Sequence, residues 1–167
     1  NTPGTLKAYA EYVRRSEKPL PLLIADLGEQ PAEAILREIG EPRLRGMLRL
    51  AGYIPNSDLP AIYNRASAFL YTSLRESFGI PQLEAMACGT PVVTSATSAI
   101  PEVAGQGAIL VDPTDPTAIA DALLRLETDA EFRAGQVAYG LERVKQFSWE
   151  KTARHLLALY ESLGKTN

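Results

Sequence analysis

Short apolar segments alternate with amphipathic ones along most of the chain. Between the apolar segments, hydrophobic residues recur at spacings of three and four, as Leu6, Tyr9 and Val13 do, which is typical of a helix with one buried face. The apolar segments predict five buried strands, at residues 21–26, 47–52, 67–72, 91–95 and 108–112. This alternation predicts an α/β fold, a Rossmann-like, doubly wound parallel sheet with helices on both faces.

Proline, glycine and capping residues mark the ends of the predicted helices. We expect helices at residues 6–15, 31–40, 57–66 and 81–89, and three more in residues 116–163 that pack on the flank of the sheet. The boundary signals are Pro31, Pro81 and Pro116 at helix starts, Asp115 as an N-cap, and Gly40 and Gly89 after helix ends. No linker separates two apolar cores, so residues 1–167 are predicted to form one domain.

Composition narrows the classes of function. The 167 residues are 46% hydrophobic, which is enough for one sizeable core, and the net charge of -3 argues against nucleic-acid binding. One cysteine and one histidine exclude an internal disulfide and a zinc cluster of such ligands. We interpret Cys88 as a core residue and His155 as a surface or half-buried one. No apolar run approaches the roughly 20 residues of a membrane span, so we expect a cytoplasmic protein.

One predicted loop, between the third strand and the helix near Pro81, is rich in functional groups. In a doubly wound sheet, ligands bind outside the carboxyl ends of the strands, which is where this loop lies. Gly79 permits a sharp turn, and the amides of Phe78, Gly79 and Ile80 precede the helix and favour an anion such as a diphosphate. Glu76 and Glu84 would repel phosphate, but they suit hydroxyl groups. A ligand with phosphate in the middle and hydroxyl groups at both ends is a nucleotide sugar, so the loop predicts a nucleotide-sugar site.

The surrounding motif carries a family resemblance. The block is S-L-R-E-S-F-G-I-P-Q-L-E-A-M-A-C-G-T-P-V-V at residues 73–93, followed by I-P-E-V from Ile100. It resembles the C-terminal donor-binding domain of GT-B retaining glycosyltransferases (glycosyltransferase family 4, group 1-like). The segments at residues 50–63 and 147–153 fit the same family, so the resemblance covers almost the whole chain.

The resemblance implies a role for each matching residue. Glu76 is expected to contact the donor hexose as the catalytic residue, and Glu84 to hold the ribose hydroxyls. The remaining donor-binding positions that it implies are Ser77, Phe78, Gly79 and Ile80 at the sugar and diphosphate, and the main chain near Arg49 and Leu50 at the base.

The implied reaction is transfer of a hexose, with retention, from a nucleoside-diphosphate sugar to a glycan or lipid-linked acceptor in polysaccharide biosynthesis. No cofactor and no metal are expected, since the sequence has no D-x-D pair. The family's N-terminal acceptor domain is absent from these residues and is an expected partner. Association with the inner face of the membrane through that domain stays open.

Three departures from the family pattern accompany the resemblance. Asn1 aligns with an asparagine that follows the family's arginine and lysine, residues 25–29 replace a glycine-rich turn, and Ser98 and Ala99 replace a glycine pair. Two other functions stay open: a non-catalytic nucleotide-binding or interaction module, and a GT-B-like sugar-nucleotide epimerase. The 167 residues alone are expected to bind nucleoside diphosphates weakly and to transfer no sugar.

Overall fold

The computed structural model describes residues 1–164, in which strands and helices alternate as predicted. The strands are β1 (Leu22–Ala25), β2 (Leu48–Gly52), β3 (Phe69–Tyr71), β4 (Val92–Ser95) and β5 (Ile109–Val111). The α-helices are α1 (Thr2–Arg15), α2 (Glu29–Glu38), α3 (Leu59–Arg65), α4 (Ile80–Ala87), α5 (Ile100–Ala104), α6 (Pro116–Thr128), α7 (Ala130–Val144) and α8 (Trp149–Gly164). Short 3₁₀ turns cover Pro42–Met47 and Gly105–Gly107.

Every strand pair in the described part of the chain is parallel, which confirms the predicted fold class. The strands form two hydrogen-bonded groups, β1–β2 and β3–β4–β5. In the larger group, Phe69 aligns with Val92, and Val93 aligns with Ile109. Because parallel strands end at the same edge, the loops after β3 and β4 emerge side by side.

Helix α1 packs against both groups of strands. Its Leu6 and Tyr9 are buried in one apolar cluster with Leu48 of β2. Ala8 of the same helix belongs to another cluster with Val93 of β4. Burial of apolar surface stabilises a fold by roughly 25 cal/mol per Å². One helix therefore holds the two groups of strands together by hydrophobic packing.

Capping residues explain two helix boundaries. Asp115 is the N-cap of α6, and its carboxylate accepts hydrogen bonds from the amides of Thr117 and Ala118 at 2.9 and 3.1 Å, which confirms its predicted role. The predicted start of α2 at Pro31 is wrong, because the helix begins at Glu29. Proline is tolerated throughout a first turn, where amides have no intrahelical acceptor, so it marks a helix start only approximately.

The last helix differs from the prediction that residues 116–163 pack on the sheet. Leu126 of α6 and Gly140 of α7 are buried, but α8 has no buried residue. Trp149 and Tyr160 of α8 are 81% and 65% exposed. The prediction is wrong for α8 because an apolar stripe shows that a helix can pack against a surface, without showing which surface. No helix within residues 1–164 has the length and hydropathy to span a membrane.

Candidate active site

The loop between β3 and α4 carries most of the predicted site residues. Gly79 ends this loop as the N-cap of α4, with φ 93° and ψ 55°. This left-handed conformation is strained for any residue with a Cβ, which explains the glycine. Helix α4 begins at Ile80, one residue before Pro81. The turn therefore leads from the carboxyl end of β3 directly into a helix whose first amides have no intrahelical acceptor.

Glu76 is half-buried in this loop, and two hydroxyl groups hold its carboxylate. The Tyr71 hydroxyl donates to Oε1 at 2.6 Å, and the Ser73 hydroxyl donates to the same oxygen at 2.8 Å. These two hydrogen bonds, that from Tyr71 above all, lower the pKa of Glu76 below its ordinary value. Among residues 1–164, Oε2 has no hydrogen-bond partner, so one carboxylate oxygen is anchored and the other can accept a further hydrogen bond.

Tyr71 and Ser73 were not found by sequence reasoning. Burial raises the pKa of Tyr71, and the Glu76 carboxylate raises it further, so the phenol stays protonated and acts as a donor. A signal was present in the sequence, because Tyr71 and Ser73 stand five and three residues before Glu76, at the end of β3 where ligands bind.

Glu84 lies on α4 and is exposed. The Tyr63 hydroxyl, from α3, donates to its Oε2 at 3.3 Å. Burial, and next the neighbouring Glu84 carboxylate, raise the pKa of Tyr63 to about 12, so this donor also stays protonated at neutral pH. Each glutamate of the predicted pair therefore accepts a hydrogen bond from a tyrosine of a neighbouring element, Tyr71 of β3 or Tyr63 of α3, while Glu84 remains open to solvent.

Ser77, Phe78 and Ile80 are exposed in the loop and at the start of α4. Within the described residues, no acceptor is found for the backbone N–H groups of Ser77, Phe78 and Gly79. The Phe78 ring packs edge-on against Phe147, with ring centroids 5.8 Å apart. The loop therefore has three backbone amides without an acceptor in the described residues, and the contact between Phe78 and Phe147 packs it against the segment after α7.

A cavity of about 420 Å³ lies beside the loop. Ser77 and Phe78 form one wall of it, and Glu102 of α5 and Arg143 of α7 form part of the other. Arg143 donates to the carbonyl of Val103 at 2.9 Å, and its guanidinium lies over the ring of Phe147. These contacts hold its side chain in the cavity wall. Two of the predicted donor-binding residues therefore border an open space.

Arg49 lies on β2, which pairs with β1 and belongs to a different group of strands from β3. Arg49 is near the start of β2, and its guanidinium donates to the carbonyls of Gly46 and Leu48 at 3.0 Å each. Leu50 follows at the middle of the strand and is half-buried. The carboxyl end of β2 is formed by Gly52, and the next residue, Tyr53, is 77% exposed.

Two non-glycine residues adopt left-handed backbone conformations at positions where the family resemblance predicts glycine. Asp26, after β1, has φ 54°, and Ser98, after β4, has φ 58°. Such conformations are strained for residues with a Cβ and are common at functional sites. Each of these two turns therefore carries backbone strain that a glycine would not have.

The remaining candidates lie away from the loop chemistry. Cys88 is half-buried and packs against an apolar cluster that includes Met86, as expected for a core thiol. His155 is exposed on α8. The described residues contain no group of three or more His, Cys, Asp or Glu side chains that could hold a metal ion.

Replacing Gly79 by alanine is expected to lower the free energy of unfolding by about 1–2 kcal/mol, from the left-handed backbone alone. A Cβ there would also lie 2.9 Å from the Nε2 of Gln82, which is fully buried, so either the Gln82 side chain or the loop must shift as well. Chemical denaturation measures the change. Gly40→Ala is the matched control, since Gly40 has φ 77° and open space around it. A loss for Gly79→Ala no larger than the control's would contradict the packing argument.

The fold and the loop together define a class of protein: a GT-B glycosyltransferase domain with a pair of glutamates at its candidate active site. The chain belongs to the glycosyl transferases group 1, whose sequence profile matches residues 1–143.

Similar proteins include several bacterial transferases. The O-antigen chain mannosyltransferase B of Escherichia coli is 35% identical over 163 residues, which are 98% of this chain and 43% of that protein. A D-inositol 3-phosphate glycosyltransferase of Salinispora tropica is 46% identical over 109 residues, 62% of this chain and 22% of that protein. The chain thus spans less than half the length of these relatives.

Solved structures share the fold over the whole chain. Sucrose-phosphate synthase from Thermosynechococcus elongatus has a TM-score of 0.82 and is 26% identical, with 100% of this chain and 44% of that chain covered. Anabaena HepE in complex with UDP has a TM-score of 0.79 at 18% identity, with 97% of this chain and 46% of that chain covered. The second likeness concerns the fold alone.

Proposed function

We propose that the chain is the donor-binding domain of a retaining glycosyltransferase that takes a hexose from a nucleoside-diphosphate sugar. The observation that carries this proposal is the Glu76 carboxylate, with one oxygen anchored and the other free, next to unpaired amides at the start of α4. An anchored carboxylate accepts hydrogen bonds from sugar hydroxyls at a defined position. Free amides at a helix start stabilise negative charge on phosphate.

Each part of the loop has a role in the proposed transfer. As the bond to the anomeric carbon breaks, positive charge develops on the sugar ring and negative charge on the departing diphosphate. The amides of Ser77, Phe78 and Gly79, with the positive end of the α4 dipole, stabilise the diphosphate. Glu76 accepts hydrogen bonds from the hexose hydroxyls and holds the sugar so that the acceptor approaches the face the diphosphate leaves.

The nucleoside is proposed to lie between α4 and the end of β2. Glu84 is exposed on α4, so its carboxylate can accept hydrogen bonds from both ribose hydroxyls. The base is proposed to lie against Gly52 and the exposed ring of Tyr53, because Arg49 and Leu50 stand earlier in the strand. An aromatic face next to a backbone without a side chain suits a planar base.

Similar proteins support the substrate class. The relative from Escherichia coli is named for mannose transfer, and solved structures of HepE contain UDP-glucose on a chain of this fold. Since the relatives are more than twice as long, we propose that the acceptor binds to a second domain of a longer enzyme, in the cytoplasm or at the inner face of the membrane. No cofactor or metal is part of the proposed mechanism.

The proposal is tested by calorimetry of the chain with UDP, GDP and ADP, with the matching nucleosides as controls. We expect weak, saturable binding of at least one diphosphate, and weaker binding of its nucleoside because the α4 amides lose their anion. Equal affinity for nucleoside and diphosphate would contradict the phosphate site. A non-catalytic binding module would bind equally well but would not transfer hexose in the complete enzyme.

A further inference from the structure

A row of hydroxyl groups joins the loop between β3 and α4 to the neighbouring strand β4 and the turn after it. Thr94 and Ser95 of β4 donate to the carbonyls of Tyr71 and Ser73, at 2.9 and 2.6 Å. Thr97, in the turn after β4, continues the row and donates to the next loop carbonyl at 3.3 Å. The two residues whose hydroxyls hold the Glu76 carboxylate are therefore themselves held by their backbones.

Ser98 completes this row at Glu76 itself. Its hydroxyl donates to the Glu76 carbonyl at 2.6 Å and accepts a hydrogen bond from the Glu76 amide at 3.2 Å. The one proton of a serine hydroxyl and one of its lone pairs satisfy both bonds at the same time. No other side chain in the described residues bonds to the backbone of Glu76.

The backbone of Ser98 is strained, although a glycine would relieve the strain. With φ 58°, Ser98 is one of two non-glycine residues in the left-handed region among those described. A serine is favoured there only if its side chain contributes something that glycine cannot. In this turn the contribution is the pair of hydrogen bonds to Glu76, since a glycine keeps the turn and loses both.

We propose that Ser98 is a positioning residue for Glu76, because its hydroxyl fixes the two peptide groups that flank the carboxylate-bearing residue. This proposal rests on the proposed function, in which Glu76 holds the donor hexose. The row from Thr94 to Ser98 sets the backbone, and Tyr71 and Ser73 then set the carboxylate. Without Ser98, the loop can turn so that Glu76 leaves its two donors.

The test compares Ser98→Gly with Ser98→Ala. Both variants lose the hydroxyl, but only glycine relieves the backbone strain, so we expect Ser98→Gly to have the higher Tm of the two. In the complete transferase both should lower kcat by about 10- to 100-fold, with little change in KM for the donor. The two variants would then differ in Tm but lose kcat to a similar extent. If Ser98 had only a structural role, kcat would instead follow Tm.

A second readout uses the chain itself. Carbon-detected NMR titration of the Glu76 carboxyl, assigned with Glu76→Gln, should show its pKa rising toward the ordinary value in both Ser98 variants as the contacts with Tyr71 and Ser73 loosen. Thr128→Ala is the control, because that hydroxyl also bonds a carbonyl, at 2.8 Å, but on α6. It should leave both the titration and kcat unchanged.

The outcomes separate this proposal from the function on which it rests. If Glu76→Gln loses kcat while Ser98→Gly keeps the wild-type kcat and the wild-type titration of Glu76, the positioning role is overturned and the proposed function stands. If Glu76→Gln itself keeps the wild-type kcat, the proposed function fails. A fall in kcat and a raised pKa of Glu76 in a stable Ser98→Gly variant support the positioning role.

Discussion

Replacing Glu76 by glutamine is expected to lower kcat for hexosyl transfer by about 100- to 10,000-fold, the range seen when a positioned charged group is removed from a transition state. Glutamine keeps the size of the side chain and one acceptor oxygen, but it loses the negative charge that strengthens hydrogen bonds from the hexose hydroxyls. Steady-state kinetics of the complete enzyme with its donor measures the change.

The affinity for the nucleoside diphosphate should change little in this variant, because the hexose, and not the nucleotide, is proposed to contact Glu76. The matched control is Glu131→Gln on α7, an exposed carboxylate whose side chain has no hydrogen bond in the described part of the chain. Its kcat should fall far less. If Glu76→Gln retains the wild-type kcat, the carboxylate has no part in transfer.

Replacing Glu84 by alanine is expected to weaken nucleoside-diphosphate binding by about 10- to 100-fold, which corresponds to the loss of charge-assisted hydrogen bonds to the ribose. The direction of the change in affinity distinguishes two effects of the glutamate. Removing a negative charge near a diphosphate should by itself strengthen binding, so weaker binding must come from lost hydrogen bonds. Calorimetry with the chain measures the dissociation constant directly.

Two comparison variants sharpen this prediction. Glu131→Ala on α7 removes the same charge from an exposed helical position and should leave the affinity unchanged or slightly higher. Tyr63→Phe removes the 3.3 Å hydrogen bond to Glu84 and should weaken binding less than Glu84→Ala does. An unchanged dissociation constant for Glu84→Ala would remove Glu84 from the nucleotide site.

The sequence was sufficient to predict the strands and the loop that carries the chemistry. The apolar run at residues 91–95 favours a strand, and Gly79 marks a turn that only glycine adopts without strain. The short helix α5, between β4 and β5, was not predicted. The helix starts were less exact, since Pro31 is compatible with several positions in a first turn. These features depend on local pattern, which is why they could be predicted.

The contacts between the site loop and other elements could not be predicted, because they join residues distant in sequence. Glu76 and Ser98 are separated by 22 positions, and only the parallel pairing of β3 with β4 brings them together. The interaction of Tyr63 with Glu84 similarly depends on how α3 packs against α4. The strain at Ser98 was also unreadable, since the sequence shows which residue stands there but not its φ angle.

One loop, from Ser73 to Ile80, is proposed to bind the diphosphate of a nucleotide sugar. Amide NMR spectra of the chain during titration with a nucleoside diphosphate test it most directly. The largest saturable shifts are expected at the backbone amides of Ser77, Phe78, Gly79 and Ile80, and Glu84→Ala should weaken binding at all four. Saturable binding whose shifts fall elsewhere, with these four amides unmoved, would contradict it.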